Sequence, residues 1–236
     1  MTAREEKPII EMSHVTFSYD APAEGGAENS EDAALRDVTL SIGAGEFVGV
    51  IGPSGAGKST LASVMSGAIP HHYRGALYGA TLVDGHDTCD VTLTDISQIV
   101  GSVLQDIDTQ MVASVVEDEM LFGLENFGVP HDQIEERIAQ TLETVGISNL
   151  REREIATLSG GQKQKVAIAA ILAMHPRVLV LDEPTAALDP ASSTLVFDTL
   201  RKVREESVTV VVIEQKVALL SEYCDRILVM SKGSLV

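Results

Sequence analysis

Residues 52–60 carry the clearest chemical pattern in the chain. They have the form G-x-x-x-x-G-K-[ST] and read Gly52, Pro53, Ser54, Gly55, Ala56, Gly57, Lys58, Ser59 and Thr60. In such a loop the backbone N–H groups curve around phosphates, the lysine brings a cation to them, and the serine hydroxyl is available to Mg²⁺. An apolar run precedes the loop and a helical pattern follows it. We therefore predict a nucleoside triphosphate site rather than a chance glycine turn.

Two adjacent carboxylates, Asp182 and Glu183, follow the apolar run 178–181. Ligands of open α/β sheets collect at the carboxyl ends of the strands, so we expect this pair near the phosphate loop. Asp182 is expected to hold hydrated Mg²⁺, and Glu183 to polarise the attacking water as a general base. A lone Asp-Glu pair is usually a solvated turn. The strand before it and the loop upstream favour nucleotide hydrolysis.

A third pattern, Leu158-Ser159-Gly160-Gly161-Gln162, enters a helical stretch at 163–174. We call these five residues the LSGGQ motif. Backbone N–H groups at a helix N-terminus attract anions, which makes the motif a candidate phosphate contact. An ordinary serine N-cap is the alternative, and it would be the better interpretation of Ser-Gly-Gly in isolation.

The elements that must position these residues follow from hydrophobic periodicity. Strands are predicted at 9–19, 35–42, 47–51, 178–181, 208–213 and 228–230, and a helix at 58–65. Residues 132–135 read as a capping box that opens a helix with Ile134, Ile138 and Leu142 on one face and Gly146 as its stop. The glycine-rich and acidic stretch 21–34 is expected to be a mobile loop. Strands alternating with helices indicate a doubly wound α/β core.

Composition limits the possible functions. The chain has 236 residues, 44% of them hydrophobic, which is enough for one large α/β domain. A net charge of −18 argues against a nucleic-acid binder, because its average surface repels phosphate backbones. Two distant cysteines, Cys89 and Cys224, fit a reducing compartment. No apolar run approaches the roughly 18 residues of a membrane span, so we expect a cytoplasmic or peripherally attached protein.

With the LSGGQ motif added to the phosphate loop and the Asp-Glu pair, nearly all of the chain resembles the ATP-binding cassette ATPases. The resemblance implies a single nucleotide-binding domain over 1–236. Residues 1–104 and 166–236 would form a RecA-like P-loop NTPase core with an N-terminal antiparallel β subdomain, and 105–165 an inserted α-helical subdomain. Two cassettes of this family close head to tail. Ser159, Gly160, Gly161 and Gln162 are therefore expected to act in trans, on ATP held by a second cassette.

The resemblance assigns further residues by position. Tyr19 matches the aromatic residue that stacks on adenine, although a tyrosine at a strand end more often only packs. Gln105 matches the glutamine that touches Mg²⁺ and water and links to the helical insertion. Asp189 matches the loop that communicates across the dimer, with an exposed turn before Pro190 as the alternative.

Two positions depart from the family pattern. Gln215 stands where the family usually has a histidine that contacts the γ-phosphate. Glutamine still donates a hydrogen bond but cannot become a cation, so we expect binding to survive, whereas the rate of turnover depends on whether a neutral donor suffices at this position. A purely structural role at the strand end is the alternative. Lys165 stands where arginine is more usual, which keeps the charge and loses the planar fork.

Residues 106–128 resemble the cassettes of energy-coupling factor importers, which are relatives of cobalt, nickel and vitamin transporter ATPases. The implied partners are a second cassette, identical or homologous, and a transmembrane coupling subunit. Glu117, Asp118 and Glu119 are candidates to meet basic residues of that subunit. An acidic solvated helix face explains each of them equally well.

The leading expectation is an ATP-hydrolysing, Mg²⁺-dependent motor subunit on the cytoplasmic face of the membrane. The alternatives are a cassette protein acting on nucleic acid or ribosomes and a low-turnover nucleotide-binding regulator. Most family members continue beyond the position of Val236. We therefore expect either a shortened form or one half of a tandem protein.

Overall fold

The computed structural model describes residues 7–19 and 33–236, which form two β-sheets flanked by α-helices. The strands are β1 (Ile10–Ser18), β2 (Leu35–Ile42), β3 (Phe47–Ile51), β4 (Ala76–Val83), β5 (His86–Asp87), β6 (Val100–Val103), β7 (Val178–Asp182), β8 (Thr209–Ile213), β9 (Arg226–Ser231) and β10 (Ser234–Leu235). The helices are α1 (Lys58–Met65), α2 (Ala68–His71), α3 (Leu93–Ser97), α4 (Ile107–Gln110), α5 (Val116–Asn126), α6 (His131–Val145), α7 (Gly160–Leu172), α8 (Pro190–Glu205) and α9 (Val217–Tyr223).

The smaller sheet is antiparallel and has the order β2-β1-β4-β5. Strand β2 shows why it forms: Leu35, Val38, Leu40 and Ile42 are buried, and the residues between them are partly or fully exposed. One buried face and one wet face are typical of an antiparallel sheet. This sheet is the β-rich region that the sequence predicts near the N-terminus.

The larger sheet has the order β10-β9-β3-β8-β7-β6. Strands β9, β3, β8, β7 and β6 are parallel, and β10 runs antiparallel at the edge. The runs in β3, β7 and β8 are almost entirely buried, as expected of central parallel strands covered on both faces. Strand β8 lies between β3 and β7, so the carboxyl ends of these three strands are neighbours.

The larger sheet separates two hydrophobic clusters. Alternate residues of β8 enter different clusters: Val210 and Val212 join the one that includes α5 to α8, whereas Val211 and Ile213 join the one that includes α1 and the smaller sheet. Successive side chains of a strand point to opposite faces, which explains the division. The sheet is therefore the wall that both cores share.

Helices α4, α5 and α6 lie between β6 and α7 along the chain. Met120 and Leu124 of α5 and Ile138 and Leu142 of α6 are buried in the cluster that contains α7. Arg151 joins this region, because its guanidinium binds both carboxylate oxygens of Glu135 at 2.7 and 2.6 Å and one oxygen of Glu117 at 2.6 Å. That ion pairing fixes α5 and α6 to the chain that leads into the LSGGQ motif.

Most predicted elements are confirmed within a residue or two, but the capping box at 132–135 is wrong. The N-cap of α6 is Pro130, so Asp132 already lies inside the first turn, with no side-chain cap. Glu135 turns to Arg151 instead of back to the helix end. Gly146 ends the helix in the left-handed conformation, as predicted. The predicted loop at 21–34 lies outside the described residues, apart from positions 33 and 34.

Gly101 of β6 offers a test of how closely the sheet and α7 pack. A Cβ on Gly101 would lie 2.2 Å from the Cγ2 methyl of Ile171, a stiff β-branched side chain. We expect Gly101→Ala to lower the free energy of unfolding by about 1–3 kcal/mol through overpacking. Urea denaturation measures this, with Gly43→Ala as the control, where the added Cβ meets nothing closer than 3.7 Å. Equal stability of the two variants would contradict the close approach.

Candidate nucleotide-binding and hydrolysis site

The predicted phosphate loop joins the end of β3 to the start of α1. Two of its glycines cannot carry a side chain: a Cβ on Gly52 would lie 2.3 Å from the carbonyl oxygen of Met230, and one on Gly57 would lie 2.3 Å from that of Ala34. Gly57 also has φ of 95°, in the left-handed region. Close backbone packing against 34 and 230 therefore sets the shape of the loop.

Lys58 points into this loop. It is 6% exposed, and its Nζ donates to the carbonyl oxygens of Gly52 at 3.0 Å and Pro53 at 3.1 Å. These two backbone oxygens hold the ammonium group at the phosphate-binding side of the loop. A flexible lysine held in this way can transfer its hydrogen bonds to phosphate oxygens.

Asp182 and Ser59 meet where β7 ends opposite the start of α1. The Ser59 side chain lies close enough to Asp182 to lower the pKa of its carboxyl, and Oδ1 of Asp182 is buried without a hydrogen-bond partner among the described residues. Burial raises the pKa of Asp182 above its ordinary value, with Glu183 adding to the rise and Ser59 and Lys58 opposing it. A carboxylate oxygen with no donor beside a hydroxyl is a hard oxygen pair, which suits Mg²⁺.

Gln105, the other residue assigned to Mg²⁺, is exposed just beyond β6. The turn that carries it is held by Gln110, which the sequence does not single out. Oε1 of Gln110 accepts from the Leu104 N–H at 3.0 Å, and its Nε2 donates to the Ser102 carbonyl at 3.0 Å. An i to i+6 side-chain contact has no local sequence pattern that would have revealed it.

Glu183 and Gln215 are brought together from neighbouring strand ends. The Gln215 Nε2 donates to Oε1 of Glu183 at 2.7 Å, and the Glu183 N–H continues the β7–β8 ladder to the Ile213 carbonyl at 2.9 Å. Glu183 has φ of 48°, unusual for a residue with a side chain. Such backbone strain collects at functional sites, where the surroundings hold it in place. The Gln215 amide can therefore orient the Glu183 carboxylate, and it adds no charge to the site.

Tyr19 lies against the start of α1, at the end of the phosphate loop. Its hydroxyl is 3.1 Å from Oγ1 of Thr60, and its ring makes edge-to-face contacts with Phe17 and Tyr73 at centroid distances of 4.8 and 6.3 Å. The side chain is nevertheless 43% exposed. Packing and an exposed aromatic surface thus coexist, and adenine stacking stays a prediction.

The LSGGQ motif forms the N-terminus of α7. Ser159 is the N-cap, and it makes a reciprocal capping box with Gln162: the Ser159 N–H donates to Oε1 of Gln162 at 2.9 Å, and the Gln162 N–H donates to Oγ of Ser159 at 3.4 Å. Ser159 and Gly160 are exposed. The cap interpretation is therefore right, and the exposed N–H groups of the helix end are also present.

Asp189 is the N-cap of α8 and lies beside the LSGGQ motif of its own chain. It accepts from the N–H and the hydroxyl of Ser192 at 3.0 and 2.5 Å, and these hydrogen bonds hold the pKa of Asp189 below its ordinary value. A Cβ on Gly161 would lie 3.2 Å from Cβ of Ser192, and one on Gly160 would lie 3.1 Å from Leu188. Within 7–19 and 33–236, no hydrogen bond joins the motif to residues 52–60.

Lys165, the second departure from the family pattern, lies one turn into α7. Its Nζ donates to the carbonyl oxygen of Val145 at 3.3 Å, at the C-terminal end of α6. A cation is favourable at that end of a helix. Burial is the main cause that lowers the pKa of Lys165, followed by the nearby Lys202.

Two of the three acidic residues proposed to meet a membrane subunit have partners within the chain. Glu119 is buried, and its Oε2 accepts from the N–H groups of Val112 and Ala113 at 2.9 and 2.7 Å, so the prediction is wrong for Glu119. Glu117 binds Arg151 within the chain. Asp118 is exposed. Helical spacing alone did not reveal that the preceding turn folds back onto Glu119.

Comparison with known proteins gives consistent likenesses. A family model described as ABC transporter matches residues 35–186. The energy-coupling factor transporter ATP-binding protein EcfA1 of Enterococcus faecalis is 41% identical over 232 residues, which cover 97% of this chain and 78% of the relative.

Two solved structures have the same fold. One is cbiO1 from Clostridium perfringens, described as part of the ABC transporter complex cbiONQ. It is 29% identical with a TM-score of 0.86, and the match covers 98% of this chain and 88% of that one. The ATP-binding cassette MJ0796, in a dimeric post-hydrolysis state bound to ADP and Pi, is 26% identical with a TM-score of 0.76, and 96% of each chain is covered.

The partly buried carboxyl of Asp182 makes stability depend on pH. Its folded-state pKa is raised, so ionisation costs stability above that pKa, and the cost vanishes below the unfolded value of about 3.9. We expect Asp182→Asn, without nucleotide or Mg²⁺, to stabilise the protein at pH 7 by on the order of 1 kcal/mol. The gain should shrink as the pH falls toward the unfolded pKa. Denaturation at several pH values measures it.

The control for this prediction is Asp118→Asn, which changes an exposed carboxylate on α5. It should leave the pH dependence as it is in the wild type. A loss of stability at pH 7 in Asp182→Asn, or a gain that does not vary with pH, would contradict the prediction. Either result would show that the partial burial of this charge does not cause the pH dependence of stability.

Proposed function

The chain belongs to the ABC transporter family of ATP-binding proteins, and on that basis we propose that it is the motor subunit of an energy-coupling factor importer. Family membership makes it an ATPase with the α/β fold of a RecA-like P-loop cassette. The importer type is supported by 41% identity to EcfA1 and by the likeness to cbiO1 of the cbiONQ complex. A vitamin or a transition-metal ion is the proposed cargo.

The observation that carries the hydrolytic role is the 2.7 Å hydrogen bond between Gln215 and Glu183 beside the phosphate loop. In the proposed mechanism, the N–H groups of residues 52–60 and Lys58 bind the phosphates. Glu183 accepts a proton from the attacking water, and Gln215 holds its carboxylate in position. Asp182 and Ser59 would hold Mg²⁺, which when bound neutralises charge on the phosphate oxygens.

We propose that two cassettes close on ATP, with the LSGGQ motif of each facing the phosphate loop of the other. The exposure of Ser159 and Gly160 at a helix N-terminus supports this arrangement, because N–H groups of that helix end outside the capping box, such as that of Gly160, can reach an anion held by another chain. The likeness to the dimeric MJ0796 cassette supports it further. Asp189, beside the motif, would lie near the same interface.

The surface proposed to receive the membrane subunit is a mostly apolar groove of about 360 Å³ next to Gln105. We call it the Leu104 groove. Leu104, Leu93, Phe127 and Tyr73 line it and expose between 37% and 51% of their surface. Exposed large apolar groups clustered in one groove are typical of an interaction site.

None of the described helices is long and apolar enough to cross a membrane. As the ATP-binding partner of a membrane subunit, like the relatives EcfA1 and cbiO1, the proposed subunit would lie peripherally on the cytoplasmic face.

A low-turnover regulatory cassette is the second candidate. Gln215 favours it, because a neutral amide at that position cannot supply the charge that histidine can. The two functions differ in the rate of phosphate release by the assembled complex.

Replacement of the proposed base tests the hydrolytic assignment. We expect Glu183→Gln to lower the rate of phosphate release by about 10²–10⁴-fold, the usual contribution of a general base. ATP binding should persist and stabilise a dimer, which size-exclusion chromatography with ATP detects. The matched control is Glu205→Gln at the exposed end of α8. Turnover of Glu183→Gln at the wild-type rate would rule out Glu183 as the base.

Purification of a tagged form from its own membranes tests the importer assignment. We expect an integral membrane protein and a second cassette to co-purify in fixed proportion and to be identified by mass spectrometry. Leu104→Asp should reduce recovery of the membrane protein at least about tenfold, because it places a charge in an apolar interface. Val236→Asp, at a 79% exposed position, is the control. Recovery of ribosomal proteins or nucleic acid in place of the membrane protein would contradict the proposal.

A further inference from the structure

Three consecutive residues after β8 contact the segment 183–193. Gln215 binds Glu183 through its side chain, as described above. Its two neighbours, Glu214 and Lys216, are charged, and both turn inward toward the same segment. Charged residues directly after a strand are usually solvated, so their inward direction needs a physical explanation.

Glu214 is a buried carboxylate whose two oxygens both have donors. It is 2% exposed, Oε2 accepts from the hydroxyl of Thr185, and Oε1 accepts from the N–H groups of Gln215 at 2.8 Å and Lys216 at 3.2 Å. A buried charge is tolerated when it is fully hydrogen bonded in this way. The carboxylate therefore sets the direction of the backbone at Gln215 and ties it to Thr185, which is 0% exposed.

Lys216 uses all three of its ammonium protons. Nζ donates to the carbonyl oxygens of Thr185 at 2.7 Å and Leu188 at 3.2 Å, and to the hydroxyl of Ser193 at 2.7 Å. Because a lysine has only three donors, no further one is left for solvent or nucleotide. All three acceptors are uncharged, and they span the turn 185–188 and the first turn of α8.

Further hydrogen bonds connect the start of α8, which lies beside the LSGGQ motif, with Glu183. The Ser193 hydroxyl also donates to the Asp189 carbonyl at 2.9 Å, and the turn is tightened by the Leu188 N–H to the Thr185 carbonyl at 3.1 Å. The Ala186 N–H donates to the carbonyl of Glu183 at 3.1 Å. Any loosening of the turn therefore acts on the backbone of Glu183.

We propose that Lys216 and Glu214 are positioning residues for ATP hydrolysis: they hold the segment 185–193 against the end of β8, so that the Glu183 carboxylate stays within reach of Gln215. This proposal rests on the assignment of Glu183 as the base. Lys216 does not touch nucleotide; it acts through the turn. Small displacements of a positioned group reduce the rate of reaction far more than they reduce binding.

Steady-state kinetics of Lys216→Met test the proposal. Methionine keeps an unbranched side chain of similar length and removes the three donors. We expect kcat to fall by about 10- to 100-fold, the effect of misplacing a reacting group, while KM and the affinity for ATP change less than about twofold. Lys202→Met, an exposed lysine of α8, is the matched control and should behave as the wild type.

A double-mutant cycle separates positioning from a general structural role. If Lys216 acts through Glu183, adding Lys216→Met to Glu183→Gln should lower the residual turnover by less than about twofold. If Lys216→Met fails to fold, Ser193→Ala takes its place, since it removes one acceptor of the ammonium group. A smaller fall in kcat with unchanged KM is then expected.

The outcomes distinguish this proposal from the one on which it rests. Turnover of folded Lys216→Met within about twofold of the wild type, or losses that multiply fully in the double variant, would overturn the positioning role. A raised KM with unchanged kcat would also overturn it, because it would indicate a part in binding ATP. Unchanged turnover in Glu183→Gln would overturn the base assignment instead.

Discussion

The parallel ladder β3-β8-β7 is the constraint on which the site depends. The phosphate loop follows β3 and Glu214 to Lys216 follow β8, while Asp182 ends β7 and Glu183 comes directly after it. Side-by-side pairing of these strands brings groups up to about 160 residues apart in sequence to one edge of the sheet, where ligands of such folds bind. The backbone bond from Glu183 N–H to the Ile213 carbonyl extends this ladder into the site itself.

Local patterns were enough to predict what depends on local physics. Apolar runs indicate the central strands, because a strand buried on both faces requires consecutive apolar residues. The motif predicts the glycine-rich loop between β3 and α1, because close backbone packing there requires glycine. The sequence predicts that the Gln215 amide donates a hydrogen bond, but it does not show that Glu183 is the acceptor. That contact depends on the order of strands in the sheet.

The errors share a cause. The capping box at 132–135 failed because Arg151, distant in sequence, binds Glu135. The acidic surface assigned to Glu119 failed because the turn before α5 folds back onto its carboxylate. In both cases a side chain that looks solvated in the sequence is satisfied by a partner that only the folded chain provides. Lys216 and Glu214 went unassigned for the same reason.

Strand β8 sends alternate side chains into two separate cores, and this limits how the chain can misfold. A slip of one residue in its pairing would exchange the two sets, so that Val210 and Val212 would face the cluster built for Val211 and Ile213. The same slip would carry residues 214–216 about 3.3 Å along the strand axis, beyond hydrogen-bonding reach of their partners. Two kinds of interaction therefore stabilise the correct register of β8: apolar packing along the strand and polar contacts of the residues that follow it.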